Sequence, residues 1–177
     1  MNPEYARLAP RTIEVMPVAN ETIQQLSDVA FGGLLQRAII GAETYDVLNV
    51  LRGSLEESLL RKGYAVRPGE TEPGRGAPDF RRPLPEGMPP PPFDAACYAT
   101  VKEWSSDRTS VDSMYMRYRI EIYRVPTAEL LYSGDFVCDH LVGDDTSTLS
   151  GSVVSTIRRS VRRALSALPE AEGAPQS

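Results

Sequence analysis

Histidine and cysteine, which carry much of the chemistry of enzymes, are scarce in this 177-residue sequence. There is one histidine, His140, and there are two cysteines, Cys97 and Cys138. A lone histidine beside Asp139 after an apolar run is more often hydrogen-bonded or solvated than catalytic. The cysteines lack the C-x-x-C or Cys/His spacing of a zinc site, and both lie in apolar, strand-like runs. We expect each to pack as a small hydrophobe, with a disulfide as the alternative.

Motifs that hold a nucleophile, a phosphate or a cation are also missing. The sequence has no G-x-S-x-G turn, and Gly32-Gly33 and Gly74-Arg75-Gly76 lack the spacing and the lysine of a phosphate-binding loop. The acidic residues Asp135, Asp139 and Asp144-Asp145 lack the alternating pattern and final glutamate of a calcium loop. We therefore predict a protein that is not an enzyme and that uses no cofactor and no metal.

Long apolar runs are absent, since none approaches the roughly 20 residues that cross a bilayer. Residues 1–8 lack the basic and apolar regions of a secretory signal. Apolar residues make up 41% of the chain and charged residues 24%, which is ordinary for a globular protein. The net charge of -5 opposes binding to phosphate backbones. We expect a soluble protein that does not bind nucleic acid.

The first third of the chain predicts a β-α-β unit. Residues 12–18 alternate like a strand, and residues 19–22 read as a turn. The stretch 23–41 contains Gly32-Gly33, so we expect at most a short or broken helix there. A clear helix is predicted from Thr44 to Gly63, and 64–66 form a strand parallel to the first. The apolar stripe of this helix is Val47, Leu48, Leu51, Leu55 and Leu59.

A proline-rich segment follows at about residues 67–92 and includes four consecutive prolines at 89–92. Proline supplies no amide donor, so this segment is predicted to cross the surface in extended form. A solvated spacer is the expected role, and docking into an aromatic groove of a partner is the alternative.

Three strands and a helix complete the pattern. Residues 95–104, 114–125 and 130–138 are typical of an antiparallel meander with a tight turn at 125–128. A final helix is predicted from about 146–148, with its stripe running to Leu168. The sequence thus predicts an α/β (α+β) fold with one open mixed sheet and both helices on one face. We expect one domain over residues 1–168 and a disordered tail at 169–177.

Three segments of the chain resemble a group of bacterial envelope lipoproteins. They read TIEVMPVANET at 12–22, LEESLLRKGYAV at 55–66 and DAACYATVKEW at 94–104. The shared features are a strand ending at Pro-x-x-Asn and a helix running through Gly-Tyr into a strand. The chain is similar in this respect to the N-terminal domain of TolB, the curli-secretion lipoprotein CsgG and the penicillin-binding-protein activator lipoproteins.

The resemblance implies a non-catalytic assembly protein, an accessory component of an envelope complex. Its implied location is the periplasm or outer membrane if a signal sequence has been removed, and the cytoplasm otherwise. The implied partner is another protein or a second copy of the chain, and membrane association is expected only through a lipid anchor that these residues do not include. The alternatives are a domain that binds a small molecule or an anionic ligand, and a cytoplasmic regulatory partner protein.

Two groups of residues are the candidate interaction surface. The odd-numbered side chains of the second meander strand are predicted to face away from the helices. The arginines of the last helix lie off its apolar stripe, where a solvated helix face is the alternative to a binding role. The candidate residues are Tyr115, Arg117, Arg119, Tyr123, Arg158, Arg159, Arg162 and Arg163.

Overall fold

The computed structural model describes residues 10–22, 33–69, 78–107, 113–141 and 149–171. Side chains are described within 10–22, 47–69, 78–104, 115–139 and 154–171. The described residues form a six-stranded mixed sheet and two α-helices, which confirms the predicted fold class. No helix in these ranges is long and apolar enough to cross a membrane.

The strands are β1 (Thr12–Val15), β2 (Ala19–Asn20), β3 (Ala65–Pro68), β4 (Ala95–Asp107), β5 (Ser113–Arg124) and β6 (Glu129–Leu141). The helices are α1 (Gly33–Arg61) and α2 (Leu149–Ala164), and a 3-10 turn, Leu165–Ala167, follows α2. The sheet order is β3-β1-β4-β5-β6, with β2 also pairing with β4. The pairs among β1 to β4 are parallel, and β4-β5-β6 form the predicted antiparallel meander.

The first predicted strand, 12–18, is shorter than expected, and a second short strand follows it. β1 ends at Val15, and the predicted turn at 19–22 contains β2, which pairs with β4 through Ala19 and Thr100. Val15 pairs with Cys97, so the pairing slips by one residue between the two strands. Pro17 lies between them and has no N–H to give to the ladder, which explains the interruption.

Helix α1 begins at Gly33, eleven positions before the predicted start at Thr44. Residues 33–41 are therefore continuous helix, where a short or broken helix was expected, and residues 23–32 lie outside the described part of the chain. The predicted end is confirmed. Gly63 has φ +84° and its N–H donates to the Leu60 carbonyl at 2.9 Å, which is the glycine cap that stops a helix.

Both helices pack on the same face of the sheet. The predicted stripe of α1 contributes Leu51, Leu55 and Leu59, each fully buried. They join the even-numbered side chains of β5 and the apolar ridge of α2 in one cluster, as the periodicity predicts. The buried members of β5 and α2 are Met116, Tyr118, Ile120, Ile122, Ile157 and Val161.

A second, smaller cluster lies on the other face of the sheet, and the proline-rich segment builds it. Phe80 is only 5% exposed and meets Phe93 edge to face at 5.0 Å between ring centroids. The two rings pack with Ala96 of β4 and with Val125. The prediction of a solvated spacer is therefore wrong for this part of the segment. Most side chains from 81 to 92 are exposed, but Phe80 anchors the segment to the sheet.

The C-terminal end of the described chain packs against α1. Ala171 is buried, and its N–H donates to the Lys62 carbonyl at 2.8 Å. The Tyr64 hydroxyl donates to the Pro169 carbonyl at 2.7 Å. The predicted disordered tail starts at 169, yet residues 169–171 are held by these contacts. Residues 172–177 lie outside the described ranges.

Candidate interaction surfaces

The structure separates the eight candidate residues into two groups on opposite sides of the molecule. Tyr115, Arg117, Arg119 and Tyr123 project from β5 on the face away from the helices, because the alternate side chains of β5 are in the main core. The four arginines of α2 lie on the far side of that core, on the outer surface of the helix. A single partner surface cannot cover both groups at once.

We call the first group and its cross-strand neighbours the open face. Its members from β4, β5 and β6 are Glu103, Tyr115, Arg117, Arg119, Glu121, Tyr123, Leu130, Asp135, Val137 and Asp139, placed by the strand register. The proline-rich segment covers the neighbouring part of the same sheet face, around Ala96 and Tyr98. The open face is the remainder, which no other described segment covers with a hydrophobic cluster.

The two arginines of the open face are paired with nearby carboxylates. Arg117 Nη2 lies 2.6 Å from Glu103 Oε1. Arg119 Nε lies 3.2 Å from Glu121 Oε1 without hydrogen-bond geometry, and its Nη2 donates to Ser133 Oγ at 3.3 Å. These pairs are partly exposed, so each contributes little to stability. Their effect is to neutralise the arginines, which lowers the electrostatic cost of covering the face.

Two apolar side chains stand exposed beside these ion pairs. Val137 is 53% exposed next to Arg117, and Leu130 is 42% exposed next to Tyr123. Both belong to β6, an edge strand of the described sheet. The Ser160 hydroxyl donates to the Val137 carbonyl at 3.4 Å, so α2 lies against this edge. The open face is therefore better placed for docking than the edge.

The end of the open face at Tyr123 is fixed by aromatic contacts. The Tyr123 ring meets the Tyr98 ring edge to face at 6.0 Å, and the Arg81 guanidinium lies 5.0 Å from the Tyr98 ring centre. Burial raises the pKa of Tyr98 to about 12, and its hydroxyl accepts the Phe80 N–H at 2.9 Å. Tyr98 is therefore a neutral anchor for the proline-rich segment.

The second surface is the arginine face, consisting of Arg158, Arg159, Arg162 and Arg163 of α2. Two of the four reach Glu57 of α1: Arg162 Nη2 donates to Oε1 at 3.1 Å, and Arg158 Nε lies 3.6 Å from Oε2. Arg61 also donates to Glu57 Oε1, at 2.8 Å. The hydrogen bond from Arg162 is the main cause of a lowered Glu57 pKa, with Arg61 and Arg158 adding to it.

The residues considered for chemistry are not brought together. Cys97 and Cys138 are free and buried. His140 is described only as backbone, near the end of β6, while Asp144-Asp145 lie outside the described residues. Among the residues that the structure describes, no three His, Cys, Asp or Glu side chains are grouped as metal ligands.

No protein-family model matches the chain, and no curated protein matches its sequence. Its fold is similar to that of solved bacterial structures. A PelC dodecamer from Paraburkholderia phytofirmans superposes with a TM-score of 0.53 at 14% identity, over 92% of this chain and 89% of PelC. A variant of the same protein, also a dodecamer, gives 0.52 at 15% identity, over 92% and 88% of the two chains.

A third structure, lipoprotein GNA1162 from Neisseria meningitidis, covers 87% of this chain and 99% of its own at 18% identity, with a TM-score of 0.47. Each of these structures is of a bacterial protein, and GNA1162 is a lipoprotein by name. They do not establish the predicted links to TolB, CsgG or the penicillin-binding-protein activators. At such low identity the likeness shows a shared fold.

One residue that matters at each surface could not be identified from the sequence alone. Glu57 reads as one of many solvated helix charges, and only the packing of α1 against α2 brings it to Arg162. Val137 reads as part of a buried strand. Its position opposite Arg117 was an available signal, because strand pairing places both side chains on the same face.

Proposed function

We propose that this chain is a non-catalytic assembly protein of the bacterial envelope, whose copies associate through the open face of the sheet. The observation that carries the proposal is the unequal covering of the two sheet faces. Two helices bury one face of the sheet. On the other face Val137 and Leu130 remain about half exposed, and the nearby Arg117 is paired with a carboxylate.

Covering this face would be favourable because it removes exposed apolar side chains from water. Burying an aliphatic side chain of this size contributes roughly 1.5–3 kcal/mol relative to leaving it in water. Arg117 and Arg119 already have carboxylate partners, so docking need not bury either arginine without a partner. Tyr115 lies on the same face, and tyrosine is enriched at interfaces because its ring is apolar and its hydroxyl polar.

The similar fold of PelC supports self-association, since PelC is a dodecamer in both crystal structures. The envelope location is supported by the resemblance of segments 12–22, 55–66 and 94–104 to envelope lipoproteins. We place the protein as an accessory component of an envelope complex, on the periplasmic side or at the outer membrane. In this role it contributes a surface and no reaction.

Charge insertion at Val137 tests the proposal. Val137→Glu replaces an exposed apolar side chain of the open face with a carboxylate, so we expect it to reduce the mass measured by light scattering, while the circular dichroism spectrum stays unchanged. Leu60→Glu is the matched control, because Leu60 is similarly exposed, at 56%, but lies on α1. It should leave the assembly intact.

Val137 is a better probe than Tyr123. Tyr123 packs on Tyr98, which joins the Phe80 cluster, so a charge there would also disturb the fold. A wild-type chain that stays monomeric, or an assembly that Val137→Glu leaves unchanged, would contradict the proposed use of this face.

A further inference from the structure

The arginine face has two cations that no described carboxylate neutralises. Arg158 and Arg162 share Glu57 with Arg61. Arg159 and Arg163 are both exposed, and the structure gives neither an ion pair with a described carboxylate. They are four residues apart on α2, so they lie next to each other on the outer surface of the helix.

Positive charge is concentrated around this face. Arg61 and Lys62 end α1 beside it, and the Lys62 Nζ donates to the carbonyls of Leu168 and Ser166 just after α2. Six of the chain's 19 cationic side chains thus lie on α2 or at the end of α1, and three of them contact Glu57, in a protein whose net charge is -5. The arginine face is therefore a local basic surface on an acidic protein.

The shape and the composition of this surface fit an extended anionic layer. The arginines stand on the outside of a helix, which is convex, so they do not converge on one small ion. Leu60, 56% exposed, directly precedes Arg61 on α1 and is an exposed apolar residue next to that cation in the chain. A basic surface with an apolar residue is the combination that binds at a lipid headgroup layer.

A second copy of the chain is a poorer partner for the arginine face than an anionic layer is. The open face is the obvious acidic candidate, but three of its four carboxylates are already paired there with Arg117 or Arg119, and only Asp139 has no ion pair with a described residue. The paired carboxylates are Glu103, Glu121 and Asp135. Docking the arginine face on them would require those pairs to break or share their carboxylates. A partner that brings its own negative charge avoids that cost.

We infer that the arginine face binds the anionic headgroups of a lipid surface. Arg159 and Arg163 are the main contacts because no described carboxylate pairs with them, and a guanidinium group can form bidentate hydrogen bonds with a lipid phosphate. This contact is a route to a membrane in addition to any lipid anchor, and it does not depend on self-association. It orients the molecule with α2 towards the bilayer and the open face away from it.

Sedimentation with vesicles tests the inference on the full chain. Vesicles containing phosphatidylglycerol should bind the protein at low salt and phosphatidylcholine vesicles should not. The double variant Arg159→Gln/Arg163→Gln should weaken binding about thirtyfold, the loss expected from two arginines near an anionic surface. Added salt should weaken the binding of the wild-type chain.

The matched control is Arg11→Gln/Arg82→Gln, which removes the same charge at two exposed positions outside α2. It should stay within about twofold of the wild-type chain. Three results would overturn the inference: no binding to phosphatidylglycerol vesicles, an equal loss in both double variants, or binding that salt does not weaken. Arginine-dependent binding to duplex DNA without vesicle binding would show that the inferred partner is wrong.

Discussion

At the scale of single residues, burial within the strands determines the reactivity of the two cysteine thiols. Both thiols are buried in the main core, and burial raises the pKa of Cys97 to about 12 and that of Cys138 to about 11. Only a thiolate is an effective nucleophile, so both groups are inert at neutral pH. We predict that a chromogenic disulfide reagent labels neither cysteine in the native protein and labels both in denaturant. Rapid native labelling would contradict the packing.

Phe80 shows how one aromatic residue changes the role of a proline-rich segment. Truncating a buried phenylalanine typically costs about 3–5 kcal/mol, and Phe80 is buried against Phe93 and Ala96. We predict that Phe80→Ala lowers the free energy of unfolding by about 3 kcal/mol in urea titrations. Met88→Ala, at an exposed position of the same segment, should change it by less than about 0.5 kcal/mol. Equal effects would mean that Phe80 is not an anchor.

At the scale of elements, Glu57 joins the two helices through its contact with Arg162. The arginines hold its pKa below the ordinary value of 4.5, so the unfolded chain binds more protons at Glu57 in acid than the folded chain does. The stabilising contribution is therefore complete above pH 4.5 and is lost as the pH falls through the lowered folded value. We predict that Glu57→Gln is less stable than the wild-type chain at pH 7.

The same substitution should remove part of the acid dependence of stability. Urea titrations from pH 7 down to pH 3 should show a smaller decline for Glu57→Gln than for the wild-type chain, with the two converging in acid. Glu86→Gln is a control at an exposed glutamate of the proline-rich segment. If Glu57→Gln and wild type decline in parallel, the arginine contacts do not form in solution.

Local periodicity explains which elements were predictable from the sequence. The apolar spacing of the even-numbered residues of β5 and of the leucines of α1 predicts which face of each element is buried. Gly63 predicts the end of α1. The pairing of β2, the burial of Phe80 and the Arg162–Glu57 contact were missed, because each depends on residues distant in sequence. The division of the candidate surface into two faces follows from the same packing.

At the scale of the whole molecule, the two candidate surfaces lie on opposite sides of the protein. The helices cover one side of the sheet and carry the arginine face, while the open face on the other side presents Val137 and Leu130. Copies that associate through the open face would keep their arginines outward. The proposed self-association and the inferred lipid binding therefore use different parts of the chain.

The native mass in solution is the most direct test of assembly through the open face. The chain has a mass of 19.5 kDa. Sedimentation velocity across a range of protein concentrations should reveal a discrete species whose mass is an integer multiple of that value, and Val137→Glu should shift it towards the monomer. A single 19.5 kDa species at every concentration would contradict the account.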